Sequence, residues 1–487
     1  MGKPDWAKRA CGLFVLCATT AIASPAQTFT TLHSFDGKDG REDEAALVQA
    51  TDGKLYGTTA FGGANDFGTV FRISPSGTLA RLYSFCRVGA CPDGAFPAAP
   101  LVQANNGDFY GTTAGGGVTQ QGEVFRITSS GTLTTLYSFC SQSGCTDGSE
   151  PSAGLVQATN GDFYGTTRFG GLPNQSCIGA SCGTVFEITP SGTLTTLHSF
   201  SFTDGANPQA GLVQATDGNF YGTTFVGGAI DSCKNGAALV GCGTVFKITP
   251  SGTLTTLYSF CSQSGCIDGD APNGLIQATD GNLYGTTEGG GANGDGTVFK
   301  ITPAGTLTTL HSFDSTDGAN PFTGLIQATD GNFYGTTVFG GANSSGTVFQ
   351  ITPGGTLTTL YSFCPQGGCT GNIRPTAVTQ ATNGNFYGAT TFGGAYDDGT
   401  IFSLSVGLGP FVETQPTSGK VGKPVKILGT NLTGATSVSF NGTAATFTVV
   451  SSSLITTTVP VGATTGTVQV VTPSGTLSSN VPFRVAP

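Results

Sequence analysis

Lysine and arginine together number 19 in 487 residues, against 29 aspartates and glutamates. So sparse a positive surface gives a phosphate backbone nothing to condense on, which excludes nucleic acid as a partner. It also excludes simple electrostatic attachment to anionic lipid. Beyond the N-terminal 26 residues there is no tryptophan, because Trp6 is the only one. Flat stacking platforms for sugars would have to come from Tyr or Phe. The three histidines, His33, His198 and His311, all sit in a TLHSF segment, in separate parts of the chain. That spacing suits packing on strands and supplies no triad or metal cluster. No run after residue 26 reaches the ~20 apolar residues of a membrane-spanning helix.

Glycine is abundant, at 77 residues. Each glycine costs a helix roughly 1 kcal/mol relative to alanine, so the composition argues for short strands and many turns. Collagen is excluded because the glycines have no three-residue period. The first 26 residues read as a secretory signal peptide: Lys3, Lys8 and Arg9 precede an apolar stretch, and small residues lead up to a cut before Gln27. Its removal leaves 16 basic and 28 acidic residues, a net charge of −12.

A unit of the form GLIQATDGNFYGTTVFGGANSSGTVFQITPGGTLTTLYSF recurs seven times. Its tyrosine falls at Tyr56, Tyr110, Tyr164, Tyr221, Tyr284, Tyr334 and Tyr387, at intervals of 54, 54, 57, 63, 50 and 53 residues. Such a period marks supersecondary units that bury their apolar faces against neighbours. Each unit reads as four antiparallel strands, with an Asp-Gly or Asn-Gly turn after the first strand and a Pro-Ser-Gly-like turn after the third. The seventh unit stops after its third strand, while residues 29–35 form an orphan fourth strand. An N-terminal strand completing the last sheet closes a ring. The expected fold is therefore an all-β seven-bladed β-propeller over 27–408, followed by a small β-sandwich over 409–487.

Antiparallel order places the Asx-Gly and Pro-Ser-Gly turns on one face, and the second-to-third-strand loops and interblade links on the other. That second face carries every large length change and twelve cysteines. Their local pairs are Cys86/Cys91, Cys140/Cys145, Cys177/Cys182, Cys233/Cys242, Cys261/Cys266 and Cys364/Cys369. In equivalent repeats both members of a pair are present or both absent, which is the pattern of disulfides in an exported protein. Scattered pairs without nearby His or further thiolates make poor zinc sites, so no metal and no cofactor is expected. Asp39, Asp93, Asp147, Asp204, Asp268 and Asp317 each precede a Gly in a link. They read as caps of their own turns in preference to a channel ring or a calcium loop. The Gly-Gly corners after the second strand precede no helix, which excludes a phosphate loop or a dinucleotide fingerprint. The repeated Tyr and Phe are assigned to interblade packing. The inserted loops of blades 3 and 4 are the expected binding region, with Phe169, Asn174, Phe225, Asp231 and Lys234 as candidates and no catalytic residue assignable.

At the YGTT-x-x-GG and GTVF-x-I-T-P-x-G-T cores the chain resembles the GloVer-type tandem repeat of exported bacterial proteins. The 409–485 segment resembles an IPT/TIG immunoglobulin-like domain through PTSG-x-x-G, G-x-N-L and V-x-FNG-x-x-A. These resemblances imply a propeller with a spacer or binding module, and they carry no catalytic residue over. The expected function is a secreted or cell-surface propeller that binds an extracellular protein or glycan, or plays a structural part, through its disulfide-rich loop face. A different class, an extracellular polysaccharide-active hydrolase or lyase, stands as the alternative.

Overall fold

The computed structural model describes residues 27–486, apart from 44, 174–176, 178–180, 230–232, 236–237, 240 and 365–372. Seven four-stranded antiparallel sheets follow one another. In blade 3, for example, the strands are Val156–Gln157, Phe163–Thr167, Thr184–Ile188 and Leu194–Ser199, hydrogen-bonded in that order. The seventh sheet takes its outer strand from the chain start: Thr28–Ser34 pairs antiparallel with Thr400–Ser405, from Thr28 opposite Ser405 to Ser34 opposite Thr400. This is the strand exchange expected from the orphan LHSF segment.

A hydrogen-bonded belt proves the ring closed. The Gln that ends each first strand accepts, through its side-chain oxygen, the backbone N–H of the preceding blade's first turn. The bonds run Thr51 to Gln103, Asn105 to Gln157, Thr159 to Gln214, Thr216 to Gln277, Thr279 to Gln327 and Thr329 to Gln380, at 2.8–3.1 Å. Thr382 to Gln49, at 2.8 Å, completes the circle across the chain ends. Each of these bonds ties one blade to the next and contributes ~0.5–1.5 kcal/mol, which accounts for the same Gln in every repeat.

Outside the belt, aromatic rings fill the wedges between blades. Tyr56 stacks on Phe109, Tyr110 on Phe163 and Tyr164 on Phe220, with centroids 4.0–4.1 Å apart. Each YGT glycine leaves room for the phenylalanine of its own third strand. A Cβ on Gly165 would lie 2.6 Å from Phe186 Cζ and 2.9 Å from Leu155 Cδ2. Gly165→Ala is therefore expected to destabilise the native state by ~1–3 kcal/mol, read as a lowered denaturation midpoint with the slope unchanged. The Gly-Gly corners have a second reason for glycine. Gly340 has φ of 75°, and a Cβ there would lie 2.6 Å from backbone atoms of Gly318 and Ser315.

Two four-stranded sheets form the C-terminal sandwich around Val425, Ile427, Val438, Phe440, Ile455 and Phe483. It rests on the Asx-Gly face of the ring. Lys426 Nζ donates to the Asn105 carbonyl at 2.8 Å, and Ser453 Oγ to the Thr51 carbonyl at 3.1 Å. The hydroxyls of Thr430 and Thr382 lie 3.0 Å apart, and Arg484 donates to the Thr216 carbonyl. These contacts touch the inner turns of blades 7, 1, 2 and 4, so the sandwich lies across that mouth of the propeller. Among the described residues no helix is long and apolar enough to cross a membrane.

Candidate functional site on the loop face

With the sandwich over one mouth, the opposite face offers the open approach to the ring. Its inner rim is built twice per blade. The first rim residue stands two positions after the link Gly, three in blade 7, and, in blades 2 to 7, immediately before a Pro: Glu42, Phe96, Glu150, Asn207, Ala271, Asn320 and Arg374. All seven hold positive φ, between 47° and 60°, although none is glycine. Strained backbone of this kind persists only where neighbours over-determine it. Here it is pinned by ladder-like bonds such as Phe225 N–H to Asn207 O at 3.1 Å. The second rim residue follows YGTT: Ala60, Ala114, Arg168, Phe225, Glu288, Val338 and Thr391. The scaffold around both positions repeats, whereas their side chains do not.

Side chains alternate along a strand. Thr166 Oγ1 donates to the Ala210 carbonyl of blade 4, which aims Arg168, two residues on, into the same gap between blades 3 and 4. Thr286 Oγ1 donates to the Thr323 carbonyl, which aims Glu288 between blades 5 and 6, where Asn320 Nδ2 donates to the Glu288 carbonyl at 3.0 Å. Four buried polar atoms of this sector lack a hydrogen-bond partner among the described residues: Ser152 Oγ, Arg168 Nε, Asn207 Oδ1 and Glu288 Oε2. Unsatisfied buried polar atoms are rare in folded proteins, which singles these four out.

Blade 5 adds two carboxyls, Asp270 opposite Gly289 and Glu288 beside that glycine in the chain. Where blades 1, 3, 6 and 7 place a phenylalanine after the second rim residue, blade 5 has Gly289, and the carboxyl of Asp270 occupies the space. A Cβ on Gly289 would lie 2.4 Å from Asp270 Oδ1. Burial raises the pKa of Asp270, and the charge of Asp268 adds to the effect. Burial likewise raises that of Glu288, helped by Asp270. Each therefore holds its proton more tightly than a free carboxyl does, which a general acid requires.

Of the binding candidates expected from the sequence, Phe169 is half-buried beneath the Arg168 guanidinium, 4.9 Å from the ring centroid. Phe225 is half-buried at the second rim position of blade 4. Asn174 and Asp231 lie outside the described residues, and Lys234 opens a two-stranded hairpin, Lys234–Asn235 with Ala238–Leu239. Arg168, Asp270 and Glu288 went unselected. Their signal was departure from the repeat consensus: TTEGG in blade 5 against TTVFGG in blade 6.

The link aspartates serve their turns. Asp204 Oδ1 accepts the Ser201 N–H at 2.8 Å, and Asp147 Oδ2 accepts that of Ser141 at 2.9 Å. Their second task was not foreseen. Tyr83, Tyr137 and Tyr258 donate to Asp93, Asp147 and Asp268 at 2.7–2.8 Å, and His33, His198 and His311 Nε2 lie 2.7–2.9 Å from Asp39, Asp204 and Asp317. Each histidine is thus committed to a link aspartate on a separate blade. Disulfides join Cys86–Cys91, Cys140–Cys145, Cys177–Cys182, Cys233–Cys242 and Cys261–Cys266. Cys369, the expected partner of Cys364, lies outside the described residues. One expectation is corrected: the pairs are not all scattered, because the sulfurs of Cys233, Cys242, Cys261 and Cys266 lie within 4.8 Å of one another. The blade 4 loop and the link to blade 5 share a face and meet there.

The family model for the Gloeobacter/Verrucomicrobia repeat matches residues 18–237 and 232–437. The chain belongs to this family. An IPT/TIG domain matches 411–485, the segment that forms the sandwich over the ring. No curated protein matches the sequence. Among solved structures, selenomethionine-substituted virginiamycin B lyase from Staphylococcus aureus is similar in fold, with 14% identity and a TM-score of 0.51 over 78% of this chain and 99% of that one. The extracellular domain of a hybrid two-component system from B. thetaiotaomicron has 12% identity and a TM-score of 0.48 over 95% of this chain and 60% of that one. A gluconolactonase from Xanthomonas campestris has 14% identity and a TM-score of 0.39 over 78% and 90%. At such identities the likeness is one of propeller fold.

Proposed function

We propose that the family member described here is an exported propeller enzyme acting on an extracellular polysaccharide at the loop-face rim of blades 3 to 5. The observation that carries this reading is the Glu288 carboxyl, whose Oε2 is buried and unpartnered and whose pKa is raised by burial and by the charge of Asp270. Glu288 supplies the proton to a leaving oxygen or takes one from a sugar carbon, which distinguishes a hydrolase from a lyase by product. Arg168 binds an anionic or hydroxyl-rich substrate group, and Phe169 and Phe225 provide the apolar faces that tryptophan would otherwise offer. The signal-like N-terminus, the disulfides and the repeat family support export.

Binding without turnover is the second reading, supported by the varied side chains on an otherwise repeated rim. Incubating the mature protein with acidic and neutral polysaccharides, and assaying reducing ends and unsaturated products, separates the two. Turnover is expected to fall by ~100-fold or more in Glu288→Gln with the melting temperature held. Retention of polysaccharide without products would leave the binding reading, and full activity in Glu288→Gln would remove Glu288 from the reaction.

A further inference from the structure

We propose that Cys233, Cys242, Cys261 and Cys266 form a four-sulfur centre that stands as two disulfides when oxidised and holds one Zn2+ as a tetrathiolate when reduced. All four sulfurs already lie within 4.8 Å of one another. Zinc–sulfur bonds of ~2.3 Å in a tetrahedron require sulfurs roughly 3.8 Å apart, so only side-chain adjustment separates the two states.

The centre exists because of one coincidence in the repeat pattern. Cys182 and Cys242 are equivalent: each stands immediately before GTVF, and their carbonyls accept the N–H of Asn207 at 2.9 Å and of Ala271 at 3.0 Å. The link after blade 3 carries Ser201 to Asp204 and no cysteine, so Cys177 and Cys182 meet no second pair. The link holding Cys140 and Cys145 follows blade 2, whose loop has no cysteine. Only in blade 4 is a cysteine-bearing loop followed by a cysteine-bearing link.

The link keeps its shape by bonds that do not involve sulfur. Cys261 N–H donates to the Gly269 carbonyl at 3.2 Å, and the Gly269 and Gly291 N–H groups both donate to the Cys266 carbonyl at 2.9 Å. Asp268 accepts the Ser262 N–H at 2.9 Å. Cys242 is 1% exposed, packed with Tyr221, Val245 and Phe260. Cleaving the disulfides therefore leaves the thiols converging. A dithiol delivers two electrons and two protons to each disulfide and closes to its own disulfide, whereas a phosphine delivers two electrons and becomes the phosphine oxide, water supplying its oxygen and the two thiol protons. Zn2+ then displaces the four thiol protons, and a disulfide-class oxidant reverses the sequence and releases the metal.

The test uses the full mature chain, reduced under native conditions with a phosphine, supplied with Zn2+ and passed over a chelating resin. One tightly held zinc per chain is expected, lost in Cys242→Ser and in Cys261→Ser, and retained when Cys140 and Cys145, or Cys177 and Cys182, are both changed to Ser. Co2+ substitution of the reduced wild type gives an answer independent of variant folding, through the intense visible bands and thiolate charge transfer of a tetrahedral four-sulfur site. No stoichiometric zinc, equal zinc in the quadruple Ser variant, or weak octahedral cobalt bands would each overturn the proposal.

Discussion

Removing residues 27–35 is expected to lower native stability by ~5 kcal/mol or more and to leave a self-associating protein. The deleted strand fills the seventh blade's outer position and supplies three anchors. Phe35 is fully buried and meets Phe71 at 5.5 Å; Leu32 packs against the same cluster, which includes Ile73, Tyr387 and Ile401. Phe29 stacks on Tyr361 at 3.9 Å and on Phe402 at 5.1 Å. Each such side chain contributes ~1.5–3 kcal/mol by burial. Their loss also bares the edge of Thr400–Ser405, and an open edge pairs with another chain. Urea unfolding and native mass spectrometry read both effects, and a synthetic 27–35 peptide added in trans should return the assembly state to that of the intact chain. An unchanged urea midpoint in the deletion variant would show that the ring does not depend on this closure.

That closure was legible because the repeats are so alike: a lone LHSF-type strand at the start and a missing one at the end can only be the same piece. The aromatic wedges were legible for the same reason, since Tyr and Phe recur at fixed places. The Gln belt was written in every repeat, yet Gln carries no signal of burial until the fold shows which N–H it satisfies. The seat of the sandwich could not be read, because Lys426 and Ser453 bond to backbone carbonyls, which every residue has. Arg168, Asp270 and Glu288 were visible only as breaks in the consensus. What makes room for the Asp270 carboxyl is the absence of a side chain at Gly289, a geometric fact that residue identity alone does not disclose. The four-sulfur contact depended likewise on a loop and a link meeting above blade 4.

Glu123 makes the largest break in the consensus, and its cost should be measurable as pH dependence. At this position the other six blades have threonine, whose hydroxyl lies 2.8–2.9 Å from that of a second-strand threonine, as in Thr59 with Thr69 and Thr390 with Thr400. Glu123 is fully buried, with Oε1 accepting from Thr135 at 3.2 Å and Oε2 unpartnered. Burial pushes its pKa up to about 8 against the Thr135 hydrogen bond, and nearby Asp93, held by Tyr83, adds repulsion. Below pH ~4.5 the carboxyl is protonated in both folded and unfolded chains and has no effect on the pH slope. Between there and about pH 8 the folded state keeps a proton the unfolded state releases, so stability falls as pH rises, by ~1.4 kcal/mol per unit and up to roughly 4–5 kcal/mol. Above pH 8 the loss is complete. Glu123→Thr restores the hydroxyl pair, and Glu123→Gln keeps the volume while offering an N–H to the unpartnered Asp93 Oδ1. Both variants should match the wild type near pH 5 and exceed it progressively toward pH 9 in denaturant midpoint. Midpoint curves that stay parallel to the wild type across that range would mean Glu123 is solvated or ionised in the native ring.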